Sequence, residues 1–276
     1  MNHAWRVCAL LLLAGGTGVM AAELPFASPA DDTIPHSAQG DAIRLGQRLV
    51  SDTRRLLPAQ TGSAMNCTSC HLSGGKVAHA SPFVGVWNRY PAYNPRAGRE
   101  VTLAERINGC FLRSMNGRKL APDSREMRAM LAYMQWLSRD IPRGSTLQGS
   151  GIGRIDKTLL PDPLRGKAIY AKSCAVCHGN EGEGRLRKGE MVFPPLWGNQ
   201  SFNIGAGMAR TFTAAAWVKQ NMPIAAGPKG VLGQGGVLSD QEALDVAEYF
   251  THQPRPDFPD KVKDWPKGGK PVDARY

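Results

Sequence analysis

The sequence predicts an all-α chain of two helical domains in tandem, and three observations carry that prediction. A C-x-x-C-H segment occurs twice, as Cys67-Thr68-Ser69-Cys70-His71 and as Cys174-Ala175-Val176-Cys177-His178. Each copy lies between stretches whose apolar residues recur at helical spacing. Between the two copies, residues 141–163 are dense in Pro, Gly and Ser and read as a linker. A length of 276 residues suits two domains. Hydrophobic residues at 42% against 21% charged exclude a disordered polyelectrolyte. With 31 Gly and 20 Pro, short elements joined by many turns are expected.

The elements follow in order. Residues 1–22 read as a secretory signal, with Arg6 in a charged start, an apolar run over residues 7–14, and small residues Ala21 and Ala22 at a cleavage site. That run is much shorter than the roughly 20 residues of a membrane span, so no membrane insertion is expected. Cys8 falls inside the signal and lacks the surroundings of a lipid-anchoring site. The expected mature protein is therefore exported to the periplasm and soluble. Residues 23–141 form the first domain, opened by a helix over residues 41–50 with Ile43, Leu45 and Leu49 on its apolar side. It closes on a stripe of Met127, Met130, Leu131, Met134 and Leu137, a pattern of core packing rather than of metal ligands. After the linker at residues 142–163, residues 164–253 repeat the plan, with a short helix over 164–172 before the second motif. Gly179, Gly182 and Gly184 then give a flexible loop, and residues 194–198 a rigid apolar one. Ser239-Asp240-Gln241-Glu242 is a capping box that opens a helix carrying Ala243, Val246, Ala247 and Phe250. Residues 254–276 form a tail rich in Pro and Lys that wraps the surface or frays.

The repeated motif is the attachment signature of haem c. Its two thiols bond the two vinyl groups of one porphyrin, and the adjacent His supplies the proximal nitrogen to iron. A redox pair would not require His next in both copies, and a zinc site would require a further Cys/His pair. Cys67, Cys70, Cys174 and Cys177 are thus expected to hold two covalent haem c groups, with His71 and His178 as iron ligands. The order helix, C-x-x-C-H, loop, helix is that of a small cytochrome c domain, here twice.

Each iron needs one more ligand. For the second, Met191, Met208 and Met222 are candidates; Met222, 44 residues beyond His178 and followed by Pro223, is expected, with Met208 next. A Met/His pair raises the reduction potential, which suits an electron-delivering site. For the first, Met115 lies at the same spacing of 44 residues from His71, but Cys110 competes. Cys110 is the one mature cysteine that haem attachment does not use, which leaves a buried inert thiol, an intermolecular disulfide or an iron ligand. Arg96, Arg99, Arg106, Arg113 and Arg118 cluster near it in sequence and would lower its pKa and hold anions. A formal charge of +11, one less without Arg6, agrees with anionic ligands or an acidic redox partner. Nucleic acid is not expected, because the protein is exported and no basic run is interleaved with aromatics.

The stretch from Arg106-Ile107-Asn108-Gly109-Cys110 to Arg113-Ser114-Met115-Asn116-Gly117, of the form R-I-N-x-C-x-x-R-S-x-N-G, resembles the thiosulfate dehydrogenase family of periplasmic dihaem cytochromes c. The resemblance covers nearly the whole mature chain, both haem motifs included. It implies an enzyme that couples two thiosulfates to tetrathionate, or runs the reverse reduction. It further implies Cys110 as the distal ligand of the first haem, Arg96, Arg106 and Ser114 as substrate-binding residues, and Met222 on the second iron. Electrons would pass from the first haem to the second and then to a periplasmic or membrane-attached partner such as another cytochrome c. Some family members carry lysine before that Met and switch ligands with redox state; here Asn221 occupies the position, which favours a permanent His178/Met222 pair. Two rival readings remain at this level: an electron carrier without its own substrate, with Met115 on iron, and a sulfur-oxidation cytochrome joining thiosulfate to a carrier protein. His79, eight residues beyond His71, is expected in a loop or at a haem propionate rather than on iron, His36 and His252 at the surface, and the tryptophans in haem-pocket or core packing.

Overall fold

The computed structural model describes residues 23–188, 190–224, 226 and 235–276. The expected export signal at residues 1–22 lies outside the described residues. Six helices of ten residues or more form the frame: α1 (Ala38–Ser51), α2 (Leu103–Arg113), α3 (Arg125–Leu137), α4 (Pro163–Ser173), α5 (Thr211–Asn221) and α6 (Asp240–Thr251). Two short antiparallel hairpins decorate them, β1 (Ala92–Asn94) with β2 (Arg99–Val101), and β3 (Arg185–Arg187) with β4 (Glu190–Phe193). The chain is thus mostly helical, and the hairpins are additions that three- and four-residue strands leave almost invisible to sequence periodicity. Among the described residues, no helix is long and apolar enough to cross a membrane.

Helix starts follow local chemistry. Ser37, Ser124 and Asp162 accept backbone N–H groups at the N-termini of α1, α3 and α4, and Pro163 sits in the first turn of α4. Thr102 with Glu105, and Ser239 with Glu242, form complete capping boxes on α2 and α6. The start of α5 has no cap from its own segment; Asp273 in the tail accepts from Phe212 N at 2.9 Å.

The two domains are built on one device. In the first, α1 packs on α3; in the second, α4 packs on α6, with α5 lying against α6 as well. Each opening helix crosses its partner at a glycine. A Cβ on Gly46 would lie 2.1 Å from the Ala129 carbonyl oxygen, and one on Gly166 would lie 2.0 Å from that of Asp245. Only glycine allows such a backbone approach. The methionine stripe of α3 is core as expected, with Met127, Met130 and Met134 at 3% exposure or less, although Met130 and Met134 also line a cavity.

Residues 141–163 carry no helix or strand until α4 begins, yet their first half is pinned to the first domain. Leu24 bridges Leu147, Gly149 O accepts from His79 N, and Gly151 O accepts from Ser81 N at 2.8 Å. The tail wraps the molecule rather than fraying. Phe258 and Trp265 are buried, Pro256 O accepts from Ile204 N, and Trp265 N donates to Arg96 O.

Candidate functional site

Two cavities lie at the two motifs. The first, of about 360 Å³, is lined by Cys67, Cys70, His71, Cys110, Met115, Met130 and Met134. The second, of about 310 Å³, is lined by Cys174, Cys177, His178, Met191, Met208 and Met222. They adjoin, since Met65, Asn66 and Cys70 line both.

The residues present fit covalent haem. Burial pushes the Cys67 and Cys70 thiols up to about 12 and that of Cys174 to about 11, whereas a redox C-x-x-C pair needs a depressed thiol. Among the described residues no group of three or more His, Cys, Asp or Glu is assembled for a zinc-type site. Each motif histidine is oriented by a backbone carbonyl. His71 Nδ1 lies 2.5 Å from Ser81 O, and His178 Nδ1 lies 2.8 Å from Pro194 O. That contact fixes the ring and leaves Nε2 as the coordinating nitrogen. Burial lowers the His178 pKa, which keeps the imidazole neutral and able to ligate. The Phe83 ring stacks on His71 with centroids 4.3 Å apart.

Cys110 behaves unlike Cys67, Cys70 and Cys174. Burial alone would raise its thiol, but the Arg106 charge and a hydrogen bond from His71 outweigh burial and bring it down to about 6. Arg106 Nη1 donates to Cys110 Sγ at 2.9 Å. Cys110 therefore lines the first cavity within hydrogen-bond reach of His71, with a guanidinium beside it. The helix explains the grouping: Arg106, Cys110 and Ser114 follow one another at intervals of four on α2 and its C-cap, hence on one face. Ser114 lines the same cavity, as does Met115.

Arg96 is placed elsewhere. It stands in the β1–β2 turn, where Asn94 Oδ1 accepts from its backbone N–H at 3.0 Å. Its side chain lines an outer basin of about 1140 Å³ that meets the first cavity at Arg106 and Ser114, which line both. There the Arg96 guanidinium lies over the Trp265 ring at 4.7 Å, donates to Gly205 O and has Nε 3.7 Å from Asp264. Arg113 pairs with the same carboxylate at 2.7 Å. Arg99 is taken up by Glu105 at 2.7 Å and Arg118 does not line either space. The tail residues Asp264, Trp265 and Tyr276 are site-building groups that no motif announces.

On the second side, Met191, Met208 and Met222 all reach the cavity wall, so the three sequence candidates are brought together there. Met222 is the C-cap of α5, with extended backbone and its N–H bonded to Val218 O. Asn221, fully buried before it, donates to Trp217 O at 2.9 Å and to His79 O at 3.0 Å. Trp217 Nε1 donates to Cys70 O at 3.1 Å, so α5 of the second domain touches the first motif directly. His36 and His252 are exposed.

Comparison with known proteins agrees with this architecture. Residues 57–142 match the family described as SoxA/TsdA, cytochrome c domain, and residues 164–253 match cytochrome c. The chain is 48% identical over 263 residues to a thiosulfate dehydrogenase of Psychrobacter arcticus, covering 95% of this chain and 78% of that one. It is 43% identical over 272 residues to a thiosulfate dehydrogenase of Allochromatium vinosum, covering 96% and 98% respectively. The solved "as isolated" thiosulfate dehydrogenase (TsdBA) of Marichromatium purpuratum superposes with a TM-score of 0.76 at 40% identity over 85% of this chain, which spans 50% of that longer chain. Two cytochrome c domains, each with a fitted haem c site, and close likeness over almost the full length place this chain in the thiosulfate dehydrogenase family.

Proposed function

We propose that the protein couples two thiosulfates into tetrathionate at the first cavity, with Cys110, Arg96, Arg106 and Ser114 as the working residues. Two thiosulfate dianions become one tetrathionate dianion and two electrons; a sulfur–sulfur bond forms and no proton moves. In the proposed ligand sets, His71 and Cys110 hold the first iron and His178 and Met222 the second. When bound, the two haem groups supply one-electron acceptors in series, from the first to the second and on to an external redox partner in the periplasm.

The observation that carries this reading is the Arg106 Nη1 to Cys110 Sγ contact at 2.9 Å beside His71, with Arg106 also lining a basin of arginines. An electron carrier has no use for a guanidinium paired to a half-buried thiol beside an anion-accepting space. Arg106 and Ser114 offer donors to a sulfonate, and their positive surroundings offset the repulsion between two dianions. Met115 lines the same cavity, but it is Cys110 that receives a hydrogen bond from His71.

The test is a steady-state assay of the dihaem protein with thiosulfate as sole substrate and ferricyanide as acceptor. Cys110→Gly is expected to lose nearly all turnover while keeping two covalent haems, because Cys67, Cys70, Cys174 and Cys177 are untouched. Near-normal turnover in that variant overturns the mechanism and favours a carrier with Met115 on iron. A strict requirement for a protein co-substrate would favour conjugation of thiosulfate to a carrier.

A further inference from the structure

The outer basin holds more positive charge than the fold consumes. Five arginines line it, Arg96, Arg99, Arg106 and Arg113 from the first domain and Arg210 from the second; Arg99 is paired with Glu105 and Arg106 with Cys110. Arg96 and Arg113 share one carboxylate, Asp264, whose side chain is only 4% exposed and also receives the Tyr276 hydroxyl at 2.5 Å. The basin's other acids are engaged. Glu105 accepts from Arg99 and the Thr102 backbone, and Asp260 accepts from Lys263 at 2.7 Å. Arg210 has no such partner. It is the N-cap of α5, its Nε is buried without a hydrogen bond, and among the described residues no carboxylate stands within ion-pair distance of it. The guanidiniums of Arg96, Arg113 and Arg210 are near enough to interact, since after burial, and against the opposing pull of Tyr276 and Asp264, Arg113 and Arg210 both lower the Arg96 pKa. A partly buried cation in this state is costly unless an anion completes it.

We propose that Arg210 is the cation of a second, outer anion subsite, which takes the sulfonate of the second thiosulfate and the far sulfonate of tetrathionate. The assignment rests on the thiosulfate reading given above. Tetrathionate is a chain of four sulfurs with a sulfonate at each end, so a site that forms it needs two separate sets of donors. Arg106 and Ser114 supply the inner set beside Cys110. Arg210 supplies the outer one across the mouth they share, from the other domain. The substrate cleft is then completed only when both domains and the tail are in place.

The experiment uses the ferric dihaem protein, which can bind tetrathionate but has no electrons with which to cleave it. Calorimetric titration with tetrathionate in low-salt buffer is expected to give a Kd that Arg210→Gln weakens about ten- to one-hundred-fold, the value of one charge-assisted contact. Arg210→Lys is expected to recover most of that loss, with haem absorption unchanged in both variants. In the ferricyanide assay, Arg210→Gln should raise the KM for thiosulfate by a similar factor with kcat within about twofold. A Kd and KM within about twofold of wild type in Arg210→Gln would overturn the subsite. So would an equal loss in Arg210→Lys, because charge would then not be the cause; this arm stands even if the glutamine variant does not fold. Tetrathionate binding that depends on Arg210 in a protein inert toward thiosulfate would instead sink the proposed activity and leave the subsite standing.

Discussion

Asp264→Asn tests whether the tail is a structural part of the site. The carboxylate is buried, with Arg113 at 2.7 Å, Tyr276 at 2.5 Å and Arg96 Nε at 3.7 Å. Asparagine keeps the shape and an acceptor for the Tyr276 hydroxyl but removes the charge that both arginines share. Two charges about 4 Å apart at an effective dielectric near 20 attract by about 4 kcal/mol. Removing one partner of a buried pair costs about 3–5 kcal/mol. Both arginines are 19% exposed at the side chain, so water recovers part of that and the lower end applies. At about 2–4 °C per kcal/mol for a chain of this size, the melting temperature should fall by about 6–12 °C. The assay is thermal unfolding of the ferric dihaem protein, followed by far-ultraviolet circular dichroism with and without tetrathionate. Anion binding should change in the opposite sense: with one carboxylate fewer in the basin, tetrathionate should stabilise the variant more than the wild type. A fall of less than about 2 °C, or an unchanged anion effect, would refute the idea that Asp264 neutralises the pair.

Four further outcomes follow from the same structure. Gly46→Ala and Gly166→Ala each force a Cβ onto a backbone carbonyl that cannot rotate away, and each should cost about 1–3 kcal/mol in thermal unfolding. Met222→Gly should abolish the near-infrared thioether-to-iron band of the ferric protein; a band that survives this and vanishes in Met208→Gly would move the ligand assignment to Met208. Asn221→Ala loses donors to Trp217 O and His79 O and should cost about 1–2 kcal/mol, read as a lower melting temperature. Burial, with Asp264 accepting its proton, raises the Tyr276 phenol to about 12. Its proton is held more tightly in the folded than in the unfolded chain, so its stabilisation is complete below about pH 10 and is lost as the pH rises through about 12. Tyr276→Phe should flatten that alkaline fall in melting temperature.

What the sequence disclosed was local. The two C-x-x-C-H motifs, the capping box at Ser239 and the 3.6-residue periodicities each occupy a few neighbouring residues, and α1, α3, α4 and α6 appear where those signals stand. The tandem helical plan was legible for the same reason. The hairpins were not, because a three-residue strand offers no period to count. Nor was the close crossing at Gly46 and Gly166. A glycine in a helical stretch ordinarily reads as a weak point, and only the facing Ala129 and Asp245 carbonyls show that a side chain is excluded there.

The site divides along the same line. Arg106, Cys110 and Ser114 recur every fourth residue along α2 and its C-cap, so one sequence segment, and the resemblance it carries, reports the inner half of the proposed cleft together. Arg96 was found by resemblance, yet its place was hidden because its partners come from far along the chain. Trp265 and Asp264 belong to the tail and Gly205 to the second domain. No local pattern ties a turn at residue 96 to a carboxylate at residue 264, and a tail rich in Pro and Lys looks like one that frays. The charge balance explains why it does not. A basin carrying Arg96, Arg113 and Arg210 would repel itself open without an acid in its wall, and Asp264 is the acid that the described basin places between the first two. The tail therefore closes the cleft and moderates its charge with a single carboxylate, leaving Arg210 for the ligand.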